Sequence, residues 1–450
     1  MADLKDLARK TVDMVMKLGP SDCDVVVSDS KFMSAEIEKG SMKQSSSVAD
    51  PGVGIRVFAS GCSGYSFCTG FNQVTVREVA RAAVAQARAG TKDPDFKGLP
   101  EKDKIHKMEG LYDPRIAKIQ PDDVVETAIR LADYAGADKR VASVNASAGV
   151  GIGHIVIANS NGIVASEKVT AFELSAEAVS KSGDHMFSGV DGGWSRKFEP
   201  NLSESVGKSA LEHAIKGLRS TKIKTGDYPV ILDPLASAFI LGMAIGGGVN
   251  AESVQRKRSY LTDKLGSSIG SEMFTATDDP TLKWASGSCS FDGEGVPARK
   301  KKIVDRGVLR LFLHDSYTAG KEGKKSTGNS TRGGSIWTFR RPPSISVSNL
   351  VISQGSSSVD EMLEETKDGV YLRLTYDYPN LVTGEFSGLM MESYRIEKGE
   401  LGPSIRQATI GTHLIEMLKN IDMVGKQSRF VFGVKTPALR ISRAKIGGSS

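Results

Sequence analysis

The segment 229–250, PVILDPLASAFILGMAIGGGVN, constrains this chain more than any other. Residues 228–232 are β-branched and apolar and read as a strand, and Asp233 followed by Pro234 supplies an N-cap and a proline suited to the first helical position. Phe239, Ile240, Met243 and Ala244 then recur at helical spacing. Yet Gly242, Gly246, Gly247 and Gly248 lie in or beside the same run, each costing about 1 kcal/mol against alanine inside a helix. Two explanations stand open: close packing of a buried helix against a strand or another subunit, or a helix that ends near Gly246 with a glycine cap.

Composition narrows the class. With 450 residues, 39% apolar and 25% charged, the chain is long enough for two or three cored domains. Over residues 1–19, Leu4, Leu7, Ala8, Val12 and Val15 share one face of a charged amphipathic helix, unlike the apolar centre of a secretion signal. The longest mainly apolar run, 235–249, is rich in glycine and shorter than the ~20 residues that span a bilayer. A cytoplasmic location and no membrane contact are therefore expected. Cys23, Cys62, Cys68 and Cys289 are scattered and expected to be reduced, and the six histidines form no pair at metal-binding spacing. The net charge of +6 gathers in short clusters at 256–258, 299–302 and 340–341. With few interleaved aromatics and no recognised DNA- or RNA-binding pattern, they read as solvated faces, and nucleic acid is not expected as a partner.

The chain divides into three units, 1–112, 113–225 and 226–450. The first carries a helix, short strands at 23–27, 35–39, 45–49 and 53–59, another at 64–68, and a helix at 74–89. Residues 90–113, with two prolines and many charges, suit a linker or an excursion across a surface. The second unit opens with a helix at 121–137 and continues with strands at 141–149, 153–158, 163–168 and 171–180. Asn161-Gly162 turns one strand into the next, and a helix at 203–218 closes the unit. The third is mostly strand and turn, with helices at 360–366 and 411–420. The fold class is α+β: two N-terminal α/β domains with mixed or antiparallel sheets, then a largely antiparallel β domain around a central glycine-rich helix.

Four pieces of the third unit, FDGEGVPARKKKIVDRGVL, SYTAGKEGKKSTGNSTR, TGEFSGLMMESYRIEKGEL and IGTHLIEMLKNIDMVGK, together with GVGIRVFASGCSGYSF in the first, resemble in order and spacing the TldD/PmbA (TldD/TldE) metalloprotease family. The resemblance spans nearly the whole chain. Catalytic members of that family carry an H-E-x-x-x-H zinc motif on the helix that begins here at Pro234, completed by a cysteine near the C-terminus. The matching positions are Gly242, Met243, Gly247 and Val424. None supplies imidazole, carboxylate or thiolate, so no catalytic or metal-binding residue is assigned.

That pattern resembles the PmbA/TldE branch, which implies a subunit without catalytic residues or a cofactor of its own, paired with a TldD-like chain that holds the zinc. The substrate implied is an unfolded peptide, held by strand addition along an exposed sheet edge. Ser326, Thr327, Gly328, Asn329 and Arg332 could present N–H groups and a guanidinium to a peptide carboxylate, and Glu385, Phe386 and Ser387 match the family's strand beside the groove; a surface turn and an ordinary edge strand are the plain alternatives. Ser387 lacks a nucleophile elbow, and Asp315 beside His314 and Glu392 near Arg395 read as bonded or ion-paired residues. The alternatives are a stand-alone peptidase with an unrecognised site and a homodimeric peptide-binding protein.

Overall fold

The computed structural model describes residues 3–334 and 336–448. Helix α1 (Leu4–Met16) is capped by Asp3, whose carboxylate accepts from Lys5 N–H. Strands β1 (Asp22–Glu38), β2 (Ser41–Ala49), β3 (Gly52–Ala59) and β4 (Cys62–Thr69) follow, then α2 (Gln73–Ala89) and α3 (Pro121–Ala135). Strands β5 (Val141–Asn159), β6 (Val164–Ser182) and β7 (His185–Ser195) lead to α4 (Leu202–Lys216). All seven strands form one sheet in the order β4-β3-β1-β5-β6-β7, with β2 on the far part of β1. The first two sequence units thus share a sheet: β1 runs antiparallel to β5 from Asp24 opposite Asn159 to Ile37 opposite Ala146.

Three of these strands are longer than the sequence suggests, and 163–168 and 171–180 make one of them, β6. The pair 23–27 and 35–39 is one strand, as is the pair 141–149 and 153–158. The glycines that interrupt the second pattern do not break the strand. A Cβ at Gly149 would stand 2.8 Å from the Phe32 ring, and one at Gly153 would stand 2.5 Å from Ile336 Cγ2. Side chains from elsewhere lie across the strand and take the place of its own.

Alternation sorts the sheet's two faces. Val25, Val27, Met33, Ala35 and Ile37 of β1, with Ala146, Ala148, Val156 and Ala158 of β5, pack against α1 to α4. Val26, Ile155 and Ile157 face the other way and meet Phe291 and Phe339 of the third unit. Further along that second face the residues turn polar, which opens the cleft described below.

The third unit begins with β8 (Ser220–Thr221) and β9 (Gly226–Leu232), after which Asp233 caps α5 (Pro234–Gly248) by accepting from Leu235 N–H at 2.8 Å. Helix α5 runs through Gly246 and Gly247 to a cap at Val249, so the earlier stop considered from sequence does not occur. It is buried against a thirteen-stranded mixed sheet whose core includes Val230, Leu232, Leu372, Leu439 and Ile441. The helix expected at 411–420 is a strand, Thr409–His413, followed by a shorter helix, Leu414–Lys419. Residues 304–313 make a tight hairpin, Lys301–Asp305 and Val308–Leu309, about Arg306 and Gly307, both at positive φ. Among the described residues no helix is long and apolar enough to cross a membrane.

Candidate functional site: a cleft between the first sheet and helix α5

A cleft of about 870 Å³ lies between the polar part of the first sheet and the third unit. Strand register builds its floor. Ser34 stands opposite Gly149, Gly149 opposite Glu173, and Glu173 opposite Trp194, which makes one row across β1, β5, β6 and β7. The next row is Glu36, Ser147, Ser175 and Gly192, and a third is Asn145, Glu177 and Val190. Their neighbours Ala146, Ala148, Leu174 and Ala176 point to the opposite face, against α3 and α4. Small residues therefore line the middle of the floor and carboxylates stand along it. The Ser147 and Ser175 hydroxyls are 2.9 Å apart, Asn145 Nδ2 donates to Glu177 at 2.9 Å, and Lys43 Nζ lies 3.0 Å from Glu38.

The facing wall is aromatic. Leu235 and Phe239 of α5 join Tyr376 and Phe432, and the Phe432 ring centroid is 3.7 Å from Trp194 and 4.9 Å from Phe239. Phe239 also meets Tyr376 edge-on at 5.3 Å. Phe432 is presented by a two-residue hairpin turn in which both Phe432 and Gly433 have positive φ, the geometry that matches strand twist. Leu235, Phe239 and Met243 are spaced four apart, so they share one side of α5, and the wall continues from the cleft to Met243, itself partly exposed.

One end of the cleft is tied shut. Glu392 accepts from Val190 N–H at 2.6 Å and pairs with Arg373, which also donates to Val190 C=O at 2.7 Å. Arg429 binds Asp191 and donates to Gly192 C=O at 2.9 Å. Glu392 therefore pairs with Arg373 and not with nearby Arg395, which holds Asp368. Burial pushes the Glu392 carboxyl up to about 7, against the pull of Arg373.

The positions that match the family's zinc motif lie on α5 and in the strand Ile421–Val431. A Cβ at Gly242 would stand 3.1 Å from Val434, and one at Gly247 would stand 2.5 Å from Leu381 Cδ1. Val424 is buried, opposite Leu439, in the same apolar cluster as Leu241 and Ala244. These side chains do not fit a zinc ion: glycine and valine donate nothing, and a thioether is a poor partner for zinc. Among the described residues no group of three His, Cys, Asp or Glu side chains is placed to hold a metal.

The other sequence candidates separate. Ser326 and Thr327 hydroxyls donate to His314 C=O, and Asn329 donates to Asp278 at 2.6 Å. Gly328 has φ of 71° and donates its N–H to Ser326. Arg332 is fully buried, bonded to Gly293 C=O and Asp24, where Arg56 and Glu294 complete an ion network joining β1 to the third unit. These residues bind the fold together, and Arg332 presents no guanidinium to a cleft. Glu385, Phe386 and Ser387 do form a strand, Glu385–Leu389, at a sheet edge; Phe386 points into the core while Glu385 and Ser387 face outward. Asp315 caps the short helix Ser316–Lys321, and His314 is buried. The cleft residues themselves escaped the sequence reading, although the alternation E-L-S-A-E at 173–177 carries the signal of a strand with one polar face.

Known proteins supply the family. Three family models match in order: PmbA/TldA metallopeptidase domain 1 over residues 23–88, the central domain over 114–218 and the C-terminal domain over 225–448. A metalloprotease of Methanocaldococcus jannaschii is 28% identical over 91% of each chain. Metalloprotease PmbA of Escherichia coli O157:H7 is 27% identical over 96% of this chain and 93% of its own. The crystal structure of TldE from Thermococcus kodakarensis superposes with a TM-score of 0.88 at 23% identity, covering 99% of this chain and 100% of that one. With all three domains matched in sequence and the fold matched end to end, the chain belongs to the PmbA/TldD metallopeptidase family.

Proposed function

We propose that this chain is a non-catalytic subunit of a TldD/TldE-type zinc metalloprotease that processes unfolded peptides, paired with a zinc-bearing TldD-like chain and shaping the cavity in which the peptide lies. One observation carries the reading. The helix that bears the metal motif in catalytic relatives is complete here, yet it offers Gly242, Met243 and Gly247, and Leu381 fills the space that a side chain at 247 would need. Zinc and the attacking water are then the partner's contribution, and this chain's part is to bind and orient.

Two features suit that part. The cleft can receive an extended chain over a floor that includes Ser34, Ser147 and Ser175. The strand Glu385–Leu389 pairs on one side with Thr409–His413, and among the described residues no strand covers its other side. Glu385 C=O accepts from Asn380 N–H at 2.8 Å and Leu389 N–H donates to Asp377 at 2.5 Å, so alternation turns the N–H and C=O of Ser387 toward the open edge. Backbone pairing there would hold a peptide with little regard to sequence. The buried free thiols are compatible with a cytoplasmic setting. Arg256, Arg299, Lys300, Lys301, Lys302 and Arg340 all have carboxylate partners, which leaves less basic surface for nucleic acid.

The test is co-expression with a TldD-like chain that carries the H-E-x-x-x-H motif, followed by size exclusion and a peptidase assay. Co-elution, with chelator-sensitive hydrolysis by the pair and none by this chain alone, is expected. Chelator-sensitive hydrolysis by the isolated chain would make it a peptidase in its own right. A stable self-pair that ignores the TldD-like chain would make it a homodimeric peptide binder.

A further inference from the structure

We propose that the cleft selects cationic, apolar-bearing segments of peptide: an extended stretch in which a lysine or arginine neighbours a large apolar or aromatic residue. This rests on the reading that the chain holds peptide, and it adds which peptides are held.

Charge argues first. The cleft is lined by Glu36, Glu38, Glu173, Glu177 and Asp191, against a single cation, Lys43. Asp191 is matched by Arg429 and lies 3.5 Å from Arg373, and Lys43 is shared by Glu38 at 3.0 Å and Glu36 at 3.9 Å. Carboxylates outnumber the cations of the lining, and Glu177 is held by the neutral amide of Asn145, within a chain whose net charge is +6. The molecule as a whole repels cations, so any preference for a basic peptide must arise locally, between low walls where charges are screened less than on an open surface.

The second argument is independent of charge. Trp194 stands on the floor opposite Glu173, and Phe239, Tyr376 and Phe432 stand on the facing wall, each ring in contact with another of the set. Phe432 is 50% exposed and Tyr376 43%, so both rings keep much of their surface open. Such a shelf takes an apolar side chain by burial and a guanidinium or ammonium by cation–π attraction. Between shelf and carboxylates the Ser147 and Ser175 hydroxyls form the floor, while the Phe32 and Trp194 rings lie over Gly149 and Gly192. A phosphate-bearing ligand meets the wrong sign of charge. A polyamine would satisfy the carboxylates and leave the aromatic shelf unused.

Fluorescence anisotropy on the isolated full chain tests this, using three short labelled unfolded peptides of equal length: one rich in Lys and Phe, one in Glu and Phe, and one in Lys and Gly. The Lys/Phe peptide is expected to bind about tenfold more tightly than either of the others, in a salt-sensitive manner. The double variant Glu36→Gln/Glu177→Gln is expected to lower that affinity about tenfold, and Phe432→Ala about fivefold. Glu126→Gln, on α3 at the opposite face of the sheet, should leave it unchanged, and a thermal melt of each variant separates lost binding from lost folding. Equal affinity for the Lys/Phe and Glu/Phe peptides, or wild-type affinity in a folded double variant, would overturn the proposal. Displacement of the peptide by spermidine at the peptide's own affinity would overturn it too, in favour of a polyamine site. No partner chain enters these measurements, so failure to associate with a TldD-like subunit would leave the result intact.

Discussion

Glycines serve two regions of this molecule in different ways. In the first sheet, Gly64 of β4 and Gly189 of β7 lie where helices press on the sheet. A Cβ at Gly64 would stand 2.1 Å from Ala83 C=O of α2, and one at Gly189 would stand 2.2 Å from Ala210 C=O of α4. These are backbone atoms of a packed helix and cannot yield. In α5, by contrast, a Cβ at Gly242, Gly246, Gly247 or Gly248 would meet only side chains outside the helix, those of Val434, Val347, Leu381, and Tyr260 with Leu261. Gly64 and Gly189 are imposed by the approach of main chain to main chain. The glycines of α5 are not, and its low helix propensity has been accepted where packing demands only part of it.

Four measurements would break or sharpen that contrast, in order of effect. Gly189→Ala should cost about 3 kcal/mol or abolish folding, read as a fall in melting temperature or loss of expressed protein; a stable variant would mean that α4 can shift off β7. The same seam holds His213, whose carbonyl carbon lies 3.0 Å from the position of a Gly189 Cβ, and burial drives its imidazole down to about 2. The unfolded chain takes up a proton near the ordinary value of 6.5 that the native imidazole refuses. Stability is therefore whole above that value and falls as pH drops toward 2, by up to about 2 kcal/mol over the first ~1.5 pH units. His213→Gln should flatten this part of the pH profile of thermal unfolding; an unchanged slope would show that the seam opens to solvent.

On the α5 side, Gly247→Ala should cost about 1 kcal/mol, because Leu381 must withdraw. In a double-mutant cycle with Leu381→Ala most of that cost should disappear, and strict additivity would show that the two do not compete for one space. Gly242→Ala is the smallest change and has the opposite sign. Val434 at 3.1 Å needs to give by a few tenths of an ångström, and the gain in helix propensity should raise stability by about 0.5 kcal/mol in chemical denaturation.

Local patterns were legible to the extent that their causes are local. The cap of α5, the amphipathic faces of α1 and α2 and the Asn161-Gly162 turn lie within a few residues of their partners in sequence. Strand β5 was split because Gly149, Gly151 and Gly153 look like interruptions, and only Phe32 and Ile336, from distant segments, explain them; β1 was split at the run 28–34, whose partners Gly149 to Ile155 on β5 lie far off in sequence. The helix assigned to 411–420 failed where pairing of Gly411 with Ser387 and Lys445 overrode its helical spacing. Arg332 resembled an exposed anion-binding residue because the carboxylate it serves, Asp24, lies 308 residues away. The cleft was invisible for the same reason, since its rows cross four strands and its wall comes from three further segments. The order of the family's pieces needed no such knowledge and pointed to the right family.

The continuous pairing of β1 with β5 has a mechanical corollary. A sheet stitched from β4 to β7 behaves as a stiff plate, so the floor of the cleft cannot flex between the first and second units. At β7 the plate is riveted to the third unit through Val190, Asp191 and Gly192. At β1 and β2 the charged residues Glu36, Glu38 and Lys43 hold one another. Asp24 and Arg56 clamp the same plate to Arg332 and Glu294 of the third unit, so its free margin is the far part of β1 with β2, and a chain would enter over the glutamates there.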